Sequence, residues 1–110
     1  MTVDLARRKC KACEGGVAPL KPQEIGNLLG ELDGWQHVGG AITKSYAFKD
    51  HYQTLAFVNA VAWISHREDH HPDMTIGYKE CRISYVTHAI GGLSENDFIC
   101  AAKMDALFNL

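Results

Sequence analysis

Apolar positions along the chain fall into blocks whose spacing changes. Ile25, Leu28, Leu29 and Leu32 stand at i, i+3, i+4 and i+7, so a short amphipathic helix is predicted over 22–32. Gly26 and Gly30 weaken it, and Gly34 ends it. Residues 35–38 and 41–48 read as two strands, joined by Gly39-Gly40, which supplies the positive φ angles of a tight hairpin. In the second strand Ile42, Lys44, Tyr46 and Phe48 share one face.

Asp50 is a natural N-cap for a long second helix, and 52–69 contains neither proline nor glycine. Its middle, from Leu55 to Ile64, is apolar nearly all round. A helix lying on a sheet needs only one apolar stripe, so a second contact is predicted, most simply another subunit. Pro72 disfavours helical geometry at His71, and the helix should finish near His70. Residues 74–78 and 81–88 then read as a second hairpin turning around Lys79. Cys81, Ile83, Tyr85 and Thr87 share one face of its second strand; Arg82, Ser84, Val86 and His88 share the other. Gly91-Gly92 breaks the chain. Ser94 caps a last helix, with Asp97 in capping-box position. The order strand, strand, helix, strand, strand, helix predicts an α+β two-layer fold. One antiparallel four-stranded sheet packs with helices on one face.

Composition sets outer bounds. At 110 residues, 46% hydrophobic and 22% charged, the chain should form one globular domain over 22–110. Residues 1–21 read as an irregular arm, with Arg7, Arg8, Lys9 and Lys11 clustered and glycine and proline following. A net charge of −2 argues against a nucleic-acid partner held by bulk charge. The longest apolar stretch is far short of the roughly 20 residues that span a bilayer, so no membrane association is expected. No apolar leader core is visible near the N-terminus, and a cytoplasmic location is expected.

Histidine changes the picture. His66-Arg-Glu-Asp-His70-His71-Pro72 packs three imidazoles into six positions, and His88 lies beyond it. Histidine, with a pKa near 6.5, gives or takes protons near neutrality. A helix end meeting a strand end would gather His70, His71 and His88. Solvated surface histidines are the plain alternative. A metal site is the rival chemistry, because His66 and His70 stand i, i+4 on one helical face. However, the glutamate is third in His-Arg-Glu-Asp-His, where the metalloprotease motif needs it second. Cys10-x-x-Cys13 lacks the second pair of a zinc ribbon and sits in a glycine-rich arm, so two free thiols are expected there.

Taken together, Asp69-His-His-Pro72, then Thr87-His88 seventeen residues after the second histidine, then Gly92-Leu-Ser-Glu-Asn-Asp97, resemble the pterin-4a-carbinolamine dehydratases. Gly34-Trp35 and Phe48-Lys-Asp50 are similar as well. The resemblance runs from about Gly34 to Leu107 and implies the four-stranded fold, with homodimers or homotetramers. It implies dehydration of 4a-hydroxytetrahydropterin to quinonoid dihydropterin, without metal or cofactor. His70, His71 and His88 would be the catalytic histidines. The pterin contacts would come from these with Pro72, Thr87, Ala89, Ile90 and Asp97. Two positions depart from members of the family. His66 stands where some carry glutamate, and Met74 where others carry tryptophan. A scaffold or dimerisation cofactor on the same fold is the alternative function that the resemblance brings.

Overall fold

The Gly39-Gly40 turn forms as its sequence requires, with φ of 57° and 82°, positive at both positions as a type I′ hairpin demands. It joins β1 (Gln36–Val38) to β2 (Ala41–Ala47). A second hairpin joins β3 (Asp73–Ile76) to β4 (Glu80–Tyr85). The computed structural model describes residues 5–11 and 18–107. The strands form one antiparallel sheet in the order β1-β2-β4-β3. Among the described residues three α-helices accompany it: α1 (Pro22–Leu29), α2 (His51–Glu68) and α3 (Glu95–Ala106).

Register decides which face is buried. Ile42 pairs with Tyr85, Lys44 with Ile83 and Tyr46 with Cys81, so their side chains lie on one side of the sheet. Phe57 and Val61 of α2 join them in one core with Phe98, Ile99 and Met104 of α3. The opposite face carries Ser45, Ala47, Glu80 and Arg82, which are exposed. The α+β two-layer expectation therefore holds: a four-stranded sheet with its helices on one face.

Several boundaries differ from expectation, each for a local reason. The first helix stops at Leu29 and a looser turn carries Leu32 against the core. The long helix stops at Glu68, before His70, because Asp69 adopts a left-handed conformation with φ 51°. The backbone N–H of His70 then closes onto the carbonyl of Ser65 at 3.1 Å. Likewise β4 ends at Tyr85, and His88 opens a 3-10 turn over His88–Ile90 instead of closing a strand. Thr87 keeps only an isolated bridge to Gly92. The described part of the arm also has structure. Leu5–Arg7 form a 3-10 turn that packs on α3 and buries Leu5.

Two side-chain ties join sheet, helices and arm. Asp105 near the end of α3 accepts from Trp35 Nε1 at 3.1 Å, Tyr46 Oη at 2.6 Å and Lys44 Nζ at 2.8 Å. Burial and that carboxylate push the Tyr46 phenol well above its ordinary range. Lys103 Nζ donates to the carbonyl of Ala6 at 2.6 Å, tying α3 to the arm. Because Leu5 is buried, Leu5→Ala should destabilise the protein by about 2–5 kcal/mol. Denaturant unfolding checks this, as a lower midpoint at an unchanged slope.

Candidate functional site

The left-handed turn at Asp69 determines where the first two histidines go. It swings His70 off the helix axis and over the end of the sheet, where its ring stacks on Tyr85 at 5.5 Å with an interplanar angle of 11°. There His70 Nε2 meets Asp97 Oδ1 at 2.6 Å. Asp97 is fully buried and is the N3 residue of α3. Its other oxygen accepts from the Ser94 backbone N–H at 3.0 Å and from Thr87 Oγ1 at 2.8 Å. The Thr87 hydroxyl proton is thus committed, so in the 2.7 Å contact between the two hydroxyls Ser94 donates to Thr87.

These contacts fix the state of His70. A buried carboxylate accepts, so Nε2 carries a proton and Nδ1 is the ring atom left for chemistry. Burial lowers the His70 pKa, but the hydrogen bond and charge of Asp97 outweigh it, and the group ends above its ordinary value.

A cavity of about 470 Å³ opens beside this pair. Its wall includes His70, His71, Thr87, His88 and Ala89, so all three clustered histidines share one space. Asp97 stands behind His70, out of reach of solvent. Pro72 borders a neighbouring cavity lined also by His66, His70 and His71, and Ile90 lies on neither wall. The remaining wall comes from Cys10, Lys11, Arg67, Glu68 and Asn96. Cys10 and Asn96 stand in motifs the sequence shows, Cys10-x-x-Cys13 and Gly92-Leu-Ser-Glu-Asn-Asp97, but nothing there placed them or Lys11 in the cavity, because their presence depends on the arm folding back. Asn96 holds it there, accepting from Lys11 N at 3.0 Å and donating to Lys11 O at 2.5 Å.

The other histidines stand outside the first cavity. His66 tilts against the exposed Trp63 and lines the neighbouring cavity with His70 and His71. His51 stacks on Tyr78 and its Nδ1 donates to the Tyr78 carbonyl at 2.9 Å, tying the start of α2 to the second hairpin. His37 is exposed on β1. Cys13 lies outside the described residues.

Fold and cavity define a small α+β protein whose histidine-walled cleft sits where a helix end, a strand end and a helix start converge. Comparison with known proteins gives the family. The model of the pterin 4 alpha carbinolamine dehydratases matches residues 18–107. A Nitrosospira multiformis protein, named provisionally as a pterin-4-alpha-carbinolamine dehydratase, is 64% identical over 107 residues. That match covers 97% of this chain and 95% of the relative. A Nitrosomonas eutropha protein with the same provisional name is 66% identical over 105 residues, covering 94% and 93%. A crystal structure from Brucella melitensis, described as a transcriptional coactivator/pterin dehydratase, superposes with TM-score 0.79 at 35% identity. It covers 81% of this chain and 97% of its own. A pterin dehydratase-like protein described as a RuBisCO assembly factor in the alpha-carboxysome gives TM-score 0.56 at 28% identity, covering 66% and 84%. The chain belongs to the pterin-4a-carbinolamine dehydratase family.

The pairing of His70 with Asp97 has a definite pH sign. The folded state holds the His70 proton more tightly, so the stability it contributes is full below about pH 6.5. It is lost as pH rises through the folded value. In Asp97→Asn the His70 pKa, read from its imidazole NMR resonances, should fall below the wild-type value, and this part of the pH dependence of unfolding should disappear.

Proposed function

We propose that the protein dehydrates 4a-hydroxytetrahydropterin to quinonoid dihydropterin, as a cytoplasmic catalyst working through histidine acid–base chemistry. The observation that carries this reading is the meeting of His70, His71 and His88 on one cavity in a member of this family. Loss of the 4a-hydroxyl needs a proton at a poor leaving group and removal of the proton on N5. Positioned imidazoles supply each transfer, typically worth about 10²–10⁴-fold.

Asp97 favours the protonated form of His70, which suits its Nδ1–H to protonating the hydroxyl. As the C4a–O bond breaks, water leaves and a C4a=N5 double bond forms. His88, on the wall of the same cavity, takes the N5 proton. His71 orients the pterin, and Thr87 and Ala89 complete that wall. Asp97 acts through His70, holding its ring and its charge. No electrons change hands, and a protonated hydroxyl leaves without a Lewis acid, so the reaction asks for no metal ion. In a stopped-flow assay of carbinolamine decay, His70→Ala and His88→Ala should each lower the catalysed rate 10-fold or more, while dialysis against a chelator leaves the wild-type rate unchanged. Wild-type rates in both variants would refute the assignment.

The expected subunit contact has its own support. Tyr52, Leu55 and Trp63 of α2 are exposed, Tyr52 to 84% and Trp63 to 61%. With Asn59 and His66, also exposed, they form one stripe at helical spacing. We propose that this stripe holds a homodimer or homotetramer together. A scaffold function would use the same stripe for another protein, and the coactivator and assembly-factor descriptions of the two structural neighbours keep that reading in view. In sedimentation analysis, Trp63→Asp should shift the wild-type oligomer towards monomer. A wild-type protein that is already monomeric would favour the scaffold reading.

A further inference from the structure

Cys10 and Cys100 are 90 residues apart in the chain, yet their sulfurs lie 3.4 Å from each other. Three anchors produce this meeting. Cys10 N donates to Glu68 Oε1 at 2.8 Å, and Lys11 is held on both sides by Asn96. Cys10 Sγ also lies 3.7 Å from the Asn96 carbonyl. Cys100 is fully buried in α3, whereas Cys10 is only part-buried and forms part of the histidine cavity wall. The Tyr85 hydroxyl is buried with no hydrogen-bond partner among the described residues. It is close enough to Cys100 for each to influence the other's ionisation. An orphan donor beside a sulfur favours the thiolate there.

We propose that Cys10 and Cys100 form a redox-sensitive thiol pair that a hydroperoxide closes into a disulfide, fastening the N-terminal arm to α3 on the wall of the histidine cavity. A disulfide bond is about 2.05 Å long, so the sulfurs must approach by roughly 1.3 Å. The approach falls to Cys10, the part-buried member of the pair, since Cys100 is fixed within α3. The hydrogen bond from Cys10 holds the Cys100 thiol below its usual range although burial opposes it, and Cys10 is raised in return. Once the pair loses one proton, the other is shared between the two sulfurs.

The cavity brings the peroxide to Cys10 and not to the fully buried Cys100. The shared proton passes to Cys100 as the Cys10 sulfur attacks one peroxide oxygen; the S–O bond forms, the O–O bond breaks, and hydroxide leaves to become water with the proton first released. Cys100, now holding the shared proton, attacks the sulfenic sulfur. The S–S bond forms, the S–O bond breaks, and the second hydroxide leaves as water with that proton. Two thiols are oxidised and one hydroperoxide is reduced. Such a bond in a reducing compartment is transient and regulatory, not structural.

Mass spectrometry of the full chain tests this. Reduced protein treated with hydrogen peroxide near neutral pH should lose two hydrogens per chain. Peptide mapping should show Cys10 joined to Cys100, with reversal by a dithiol. Cys13→Ser should keep the cross-link and Cys10→Ser should lose it. Hydrogen exchange at residues 5–11 should slow on oxidation. A Cys10–Cys13 bond, a bond between chains, or over-oxidation with no internal bond would overturn the proposal.

Discussion

A buried carboxylate is the constraint around which this molecule is arranged. Asp97 has no solvent to hydrate it, and an unpaired charge in that position costs several kcal/mol. Its donors come from three separate places: His70 beyond the end of α2, Thr87 beyond the end of β4, and the backbone of Ser94 at the start of α3. Satisfying one charge therefore brings three chain ends to one point. That point is the back wall of the histidine cavity, so the demand that holds the fold together also orients His70.

Asp105 makes a second junction at the other end of α3. There Trp35, Tyr46 and Lys44 reach the helix from the first hairpin. The two carboxylates pin both ends of α3 to the rest of the molecule, and the apolar side chains of Phe98, Ile99, Ala101 and Met104 fill the length between them. They work in different surroundings. Asp105 remains about one-quarter exposed and its ion pair with Lys44 is partly solvated, so its charge contributes less. Asp97 lies against a histidine whose own side chain is 12% exposed, and its field acts with little screening.

The same helix also organises the arm. Asn96 holds Lys11, Cys100 faces Cys10, and Lys103 reaches Ala6. These contacts bring a segment remote in sequence onto the cavity wall. The cavity thus has one side built from the core and a second side supplied by a strap that polar contacts and the buried Leu5 hold against α3. The Cys10 thiol and the imidazoles of His70, His71 and His88 line one opening.

Much of this was legible residue by residue. Gly39-Gly40, Asp50, Ser94 and Asp97 each carry a local rule that the backbone obeys, and the alternation groups Cys81, Ile83, Tyr85 and Thr87 on one face, which the structure turns inward. The cluster His70, His71 and His88 was visible because imidazoles beside a proline have no reason to be packing residues. The sequence by itself therefore determined the element order, which strand residues share a face, and the histidine cluster. Tertiary structure decided the rest. The left-handed turn at Asp69 takes His70 out of the helix, Asp97 becomes its partner as well as a cap, and Cys10, Glu68 and Asn96 join the cavity. The reason is range. Capping and periodicity act within a few neighbours, whereas a buried charge finds its donors, and a sulfur its partner, only after the chain has closed on itself.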